Sequence, residues 1–162
     1  MKTILLFIAV LFSFAANAQI TKVSLQASGL TCSMCSNSIN KALKTISFVD
    51  SVDPNIQTST FEITFKPGSD VDFEVIKQKV EDAGFSVASF IATIDFKNVQ
   101  LAPNKIITVG DKTFYFLNAK EQLLTGEKKI KMLNKGFLSN KEYRKNAAAI
   151  PSMDKGIYYA TI

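Results

Sequence analysis

Between residues 21 and 96 the apolar side chains switch between two periodicities, in an order that few folds accept. Thr21 to Ser28 (TKVSLQAS) sets Val23, Leu25 and Ala27 on one face, the pattern of a half-buried strand, and Gly29 interrupts it. Ile39, Leu43 and Ile46, with Ala42 beside them, then form one apolar stripe of a helix from Ser33 to Ile46. Phe48 to Asp53 predicts a short strand stopped by a turn at Asp53-Pro54-Asn55. Thr60 to Lys66 predicts another, with Phe61, Ile63 and Phe65 alternating and Pro67-Gly68 at its end. Val71 to Ala83 predicts a second helix with Phe73, Ile76, Val80 and Ala83 inward, Asp70 as its cap and Gly84 ending it. Phe85 to Phe96, rich in β-branched and aromatic residues, closes the series as a strand. The order β-α-β-β-α-β is the ferredoxin-like split arrangement, a four-stranded antiparallel sheet with both helices on one face. Its expected core is Val23, Leu25, Ile39, Leu43, Ile46, Val52, Ile63, Phe65, Ile76, Val80 and Val87.

Residues 97–162 carry weaker signals. Lys105 to Leu117 (KIITVGDKTFYFL) reads as a hairpin around Gly110-Asp111. Glu121 to Thr125 reads as strand or helical turn, and Lys128 to Phe137 as a strand carrying Ile130, Met132 and Leu133. Ser139 to Ala149 reads as a helix capped by Ser139 or Asn140, with Glu142 near the third position, and Gly156 to Ile162 as a closing strand. The expected fold class is α+β: a ferredoxin-like module, then a small β-rich module with one helix, in the form of a partly open barrel.

Charge divides the chain at the same place. Residues 19–96 hold six Lys against nine Asp or Glu, whereas residues 97–162 hold twelve Lys or Arg against five Asp or Glu. The sign change predicts two modules, 19–96 and 97–162. Ahead of them, Lys2, the uncharged stretch Ile4 to Ala16 and the A-x-A ending Ala16-Asn17-Ala18 have the pattern of a secretory signal over residues 1–18, cleaved before Gln19. The apolar stretch is shorter than the roughly 20 residues a spanning helix needs. The chain is therefore expected to be exported, to a periplasm or to the exterior. That location disfavours nucleic acid as the target of the basic module and suits an anionic membrane surface or an acidic protein.

The chain has two cysteines and no histidine. Cys32 and Cys35 sit in Gly29-Leu30-Thr31-Cys32-Ser33-Met34-Cys35, at the start of the first predicted helix. Free N–H groups at a helix N-terminus favour thiolate, the form that binds soft ions or attacks disulfides. Thr31 or Ser33 is suited to cap that turn. Two thiols without imidazole make a poor structural zinc site, which takes four ligands. Two-coordinate soft ions, Cu(I) first and Hg(II) second, suit the pair better. Two other uses of the sulfurs stay open. A disulfide across two intervening residues closes so small a loop that it stabilises little. Thiol–disulfide redox chemistry also uses C-x-x-C at a helix start, but here Thr31 precedes Cys32, where thioredoxin-like folds usually place an aromatic residue.

Residues 21–96 resemble a heavy-metal-associated domain, the family of copper chaperones, copper-ATPase N-terminal domains and the periplasmic mercury-binding protein. The resemblance rests on Gly29-Leu30-Thr31-Cys32-x-x-Cys35, on Ala83-Gly84-Phe85, and on the order of elements. It implies that Cys32 and Cys35 are metal ligands and that Leu30 takes the inward place of the family's loop methionine. It also places Thr31 and Phe85 beside the metal loop. Soluble copper chaperones often carry Lys where this chain has Phe85. The implied protein is not an enzyme. It is a carrier of one soft ion that meets a metal donor or acceptor protein, as a monomer or a weak metal-bridged dimer, and needs no metal to fold. Met34, between the cysteines, is expected to be an exposed or packing side chain pointing outward, with a thioether contribution to Cu(I) as the alternative.

Overall fold

The computed structural model describes residues 18–30, 32–150 and 156–162. Of the expected signal over residues 1–18, residues 1–17 lie outside that range and Ala18 is the first residue of β1. The first module is β1 (Ala18–Ser28), α1 (Ser33–Lys44), β2 (Val49–Asn55), β3 (Thr60–Phe65), α2 (Phe73–Asp82) and β4 (Ser86–Leu101), in the expected order. Then follow β5 (Ile106–Val109), β6 (Lys112–Phe116), β7 (Gln122–Met132), α3 (Asn140–Asn146), which passes into a 3-10 turn at Ala147–Ala149, and β8 (Ile157–Thr161).

All eight strands join one sheet in the order β2-β3-β1-β4-β7-β8-β6-β5. β4 would be an edge of the first module, but β7 pairs along it from Ile91↔Lys131 to Leu101↔Gln122. One inward-facing row therefore crosses five strands: Val52, Ile63, Val23, Ala92 and Ile130 lie opposite one another in succession. All five are buried. The period-two alternation that makes β1 a strand thus also fixes its register, since a one-residue slip would turn Val23 and Leu25 to solvent. The sheet curls until β5 comes against β1, yet β5 pairs with β6 alone, so the sheet stays open. Among the described residues β6 and β8 form the one parallel pair.

Every residue of the expected core is buried. Helix α1 contributes Ile39 and Leu43, and α2 contributes Phe73, Ile76 and Val80. Phe73 is where the two modules meet. Its ring centroid lies 5.1 Å from that of Phe90 in β4, 6.4 Å from Phe114 in β6 and 5.3 Å from Tyr158 in β8. A second, smaller cluster of Leu117, Leu133, Leu138 and Tyr159 packs with Tyr143 of α3. Tyr158 and Tyr159 are neighbours on β8 and so point to opposite faces, one into each cluster.

Three local expectations change. The cap of α2 is Asp72, not Asp70: its carboxylate accepts the N–H groups of Glu74 at 2.8 Å and Val75 at 3.3 Å. Asp70 lies too far back and faces Lys112 Nζ, 3.9 Å away. Asp53-Pro54-Asn55 is not a turn but the end of β2. Pro54 is tolerated there because β2 is an edge strand and the missing N–H forfeits no ladder bond. β4 runs past Phe96 to Leu101, beyond a bulge at Asn98, whose φ is 56°. The hairpin expected at Gly110-Asp111 is present, with Val109 opposite Lys112 and Gly110 at φ +60°. No helix among the described residues is long and apolar enough to cross a membrane.

Candidate metal site

Cys32 is itself the N-cap of α1, in extended conformation at φ −151° and ψ 158°. The expected caps are displaced: Ser33 is the first helical residue, and Thr31 lies outside the described residues. The Cys32 sulfur accepts the N–H of Cys35 at 3.3 Å, and its carbonyl accepts the same N–H at 3.2 Å and that of Ser36 at 3.3 Å. A thiol thus does the work usually given to a hydroxyl or carboxylate. This fixes the side chain of Cys32 over the first turn, where Cys35 also emerges. The two sulfurs are 2.6 Å apart, and both thiols are free. Cys32 is exposed and Cys35 half-buried.

The Cys35 thiol and then its backbone N–H, both directed at the Cys32 sulfur, hold the Cys32 thiol below its usual range, with a smaller contribution from the N–H of Met34. Each donor stabilises the thiolate more than the thiol. The pair therefore offers one sulfur readied as an anion and a second in contact with it.

The base of the loop is built from two glycines and one ring. Gly29 has φ +84° and Gly84 has φ +86°, both in the left-handed region that side chains avoid. At Gly84 this closes α2: Gly84 N–H donates to the Glu81 carbonyl at 2.9 Å and Phe85 N–H to the Val80 carbonyl at 3.1 Å, the two bonds of a Schellman motif. The turn delivers Phe85 to the metal loop, where its Cδ1 lies 3.9 Å from where a Cβ on Gly29 would be. Phe85 and Leu30 are both half-buried against the core. Ser28 and Ser86 join the strands just below, their hydroxyls 2.6 Å apart. This serine pair had no signal in the sequence, because strand register alone makes it. Met34 is 79% exposed. Among the described residues no group of three or more His, Cys, Asp or Glu gathers to hold a metal, so the sulfur pair stands without a carboxylate or imidazole around it.

This two-sulfur loop can be set beside known proteins. The heavy-metal-associated domain family matches residues 24–86. Residues 24–86 are a heavy-metal-associated domain. A probable copper-transporting ATPase of Arabidopsis thaliana is 33% identical over 76 residues, 47% of this chain and 8% of the ATPase. The chain thus spans under a tenth of that relative's length. The yeast copper transporter domain Ccc2a, solved in apo and Cu(I)-loaded states, is 33% identical over 41% of this chain and 90% of that domain, with a TM-score of 0.37. It has also been solved in a complex with Atx1 and Cu(I). Oxidised MerP from Ralstonia metallidurans is 29% identical over 43% of this chain and 96% of its own, also with a TM-score of 0.37. The heavy-metal-associated domain accounts for the first module, and the matched stretch ends at Ser86, at the start of β4.

Proposed function

We propose that this protein is an exported carrier of one soft metal ion, Cu(I) in preference to Hg(II), held between Cys32 and Cys35. The observation that carries this reading is the sulfur pair: two free thiols in one turn at the exposed start of a helix, with no carboxylate or imidazole gathered around them among the described residues. Thiolates select soft ions, and a two-sulfur site at the surface leaves one side of the ion open to an incoming thiolate. The ion then passes to a partner protein by stepwise exchange of sulfur ligands, with no free ion released. Likeness to Ccc2a, which has been solved with Atx1 and Cu(I), supports a protein partner for that exchange. The protein is a binder, not an enzyme, and works as a monomer or a weak metal-bridged dimer. The basic second module is suited to hold it at an anionic membrane surface. Export rests on the signal pattern of residues 1–18, and N-terminal sequencing of the secreted protein should begin at Gln19.

The test is anaerobic titration of the reduced protein with Cu(I) against a competing chelator, beside the Cys32→Ser/Cys35→Ser double variant. One tight equivalent, lost in the variant, is expected. Weak or cysteine-independent uptake would refute the carrier reading. The contact between the sulfurs also favours a second reading, a thiol–disulfide redox protein using the same pair. A dithiol potential close to that of oxidising exchange proteins, together with absent copper uptake, would select it.

A further inference from the structure

Met34 is more exposed, at 79%, than any other large apolar side chain among the described residues. Met132, by contrast, is fully buried in the core, the ordinary place for this residue. Packing therefore does not account for Met34. Its position is the first turn of α1, two residues after Cys32 and directly before Cys35. Consecutive Cα atoms are about 3.8 Å apart, so three sulfurs are carried by four successive residues. The Met34 backbone carbonyl accepts the Ser38 hydroxyl at 3.1 Å, a contact that does not involve the thioether.

Resting on the carrier reading above, we propose that Met34 is a third sulfur ligand, a thioether that binds Cu(I) together with the thiolates of Cys32 and Cys35. The chemistry suits the place. A thioether is soft and favours Cu(I). It is neutral, so it adds no charge to a complex already anionic from two thiolates. In the uptake step a bond forms between Cu(I) and the Met34 sulfur while the donor's sulfur still holds the ion. Bonds to Cys32 and Cys35 follow, any proton still on either sulfur passing to water, and the donor bond breaks as the donor sulfur leaves with its electron pair. Copper stays in the +1 state throughout. The same thioether gives the site a preference: Hg(II) is satisfied by the two thiolates, whereas Cu(I) gains the third ligand.

The test uses the full protein with methionine methyl groups labelled with carbon-13, reduced and anaerobic, titrated with Cu(I) to one equivalent. The Met34 methyl resonance, identified by its absence from Met34→Leu, should shift, and that of Met132 should stay. X-ray absorption should count three sulfurs in the native protein and two in Met34→Leu, whose Cu(I) affinity falls several-fold while its Hg(II) affinity holds. One equivalent of copper bound with the Met34 methyl unmoved and two sulfurs in both proteins would overturn the proposal and leave the carrier reading standing. No copper retained by the native protein would overturn both.

Discussion

At the scale of single residues, the metal loop works through conformations that side chains make expensive and through one unusual cap. Cys32 closes its own helix, so the donors that order it are the same ones that lower its pKa. Because the folded value is the lower one, the thiolate belongs to the folded state. Any stability it brings is present above the ordinary thiol range and is lost as pH falls through the folded value. Replacing Cys35 by Ala removes the first of those donors. The thiolate absorbance of Cys32, followed near 240 nm, should then appear at higher pH than in the native protein, and an unchanged midpoint would show that backbone donors alone set it. Gly29 holds φ +84° with the Phe85 ring close by. Gly29→Ala should cost roughly 1–2 kcal/mol, from the left-handed backbone and not from crowding. Urea unfolding measures it, and a neutral substitution would mean that the loop can relax without Phe85.

At the scale of elements, what sets helix α2 is its ends. Asp72 takes two N–H groups at its start, and Gly84 with Phe85 closes it. Asp72→Ala should lose about 1 kcal/mol of stability, whereas Asp70→Ala, at an exposed carboxylate 3.9 Å from Lys112, should lose much less. Equal losses in chemical denaturation would return the capping role to Asp70. The element types were legible because stripes such as Ile39, Leu43 and Val23, Leu25 need no distant partner to be recognised. Their ends were less so. Asp70 and Asp72 are the same residue type two positions apart, and only backbone geometry chooses between them. Pro54 reads as a turn unless β2 is known to be an edge strand.

At the scale of the whole molecule, the two charge modules share one sheet and one core. Phe73 opens α2 in the first module, yet it touches Phe114 and Tyr158 in the second. Phe73→Ala should cost roughly 3–5 kcal/mol, the range for a fully buried aromatic. Cutting the chain after Phe96 would leave β4 paired with β1 alone, its other edge bared from Ile91 onward, and strip Phe73 and Phe90 of Phe114, Phe137 and Tyr158. The fragment should melt below the full chain and associate through the bared strand, as exposed edges do. A cooperative melt within a few degrees of the intact protein would show that β7 is an accessory to a domain sufficient by itself.

The sequence by itself determined the order of strands and helices to residue 96, the buried face of each, and the placing of Cys32 and Cys35 at a helix start. Those properties rest on period, on turn residues and on neighbours along the chain. Tertiary structure decided that residues 97–162 extend the same sheet from β4, that β6 and β8 run parallel, and that Phe73 packs against rings of both modules in one core. It also decided that Phe85 sits under Gly29 and that the Cys32 and Cys35 sulfurs touch. Each of those depends on groups brought together from distant parts of the chain or on a backbone turn, and neither leaves a period in the sequence.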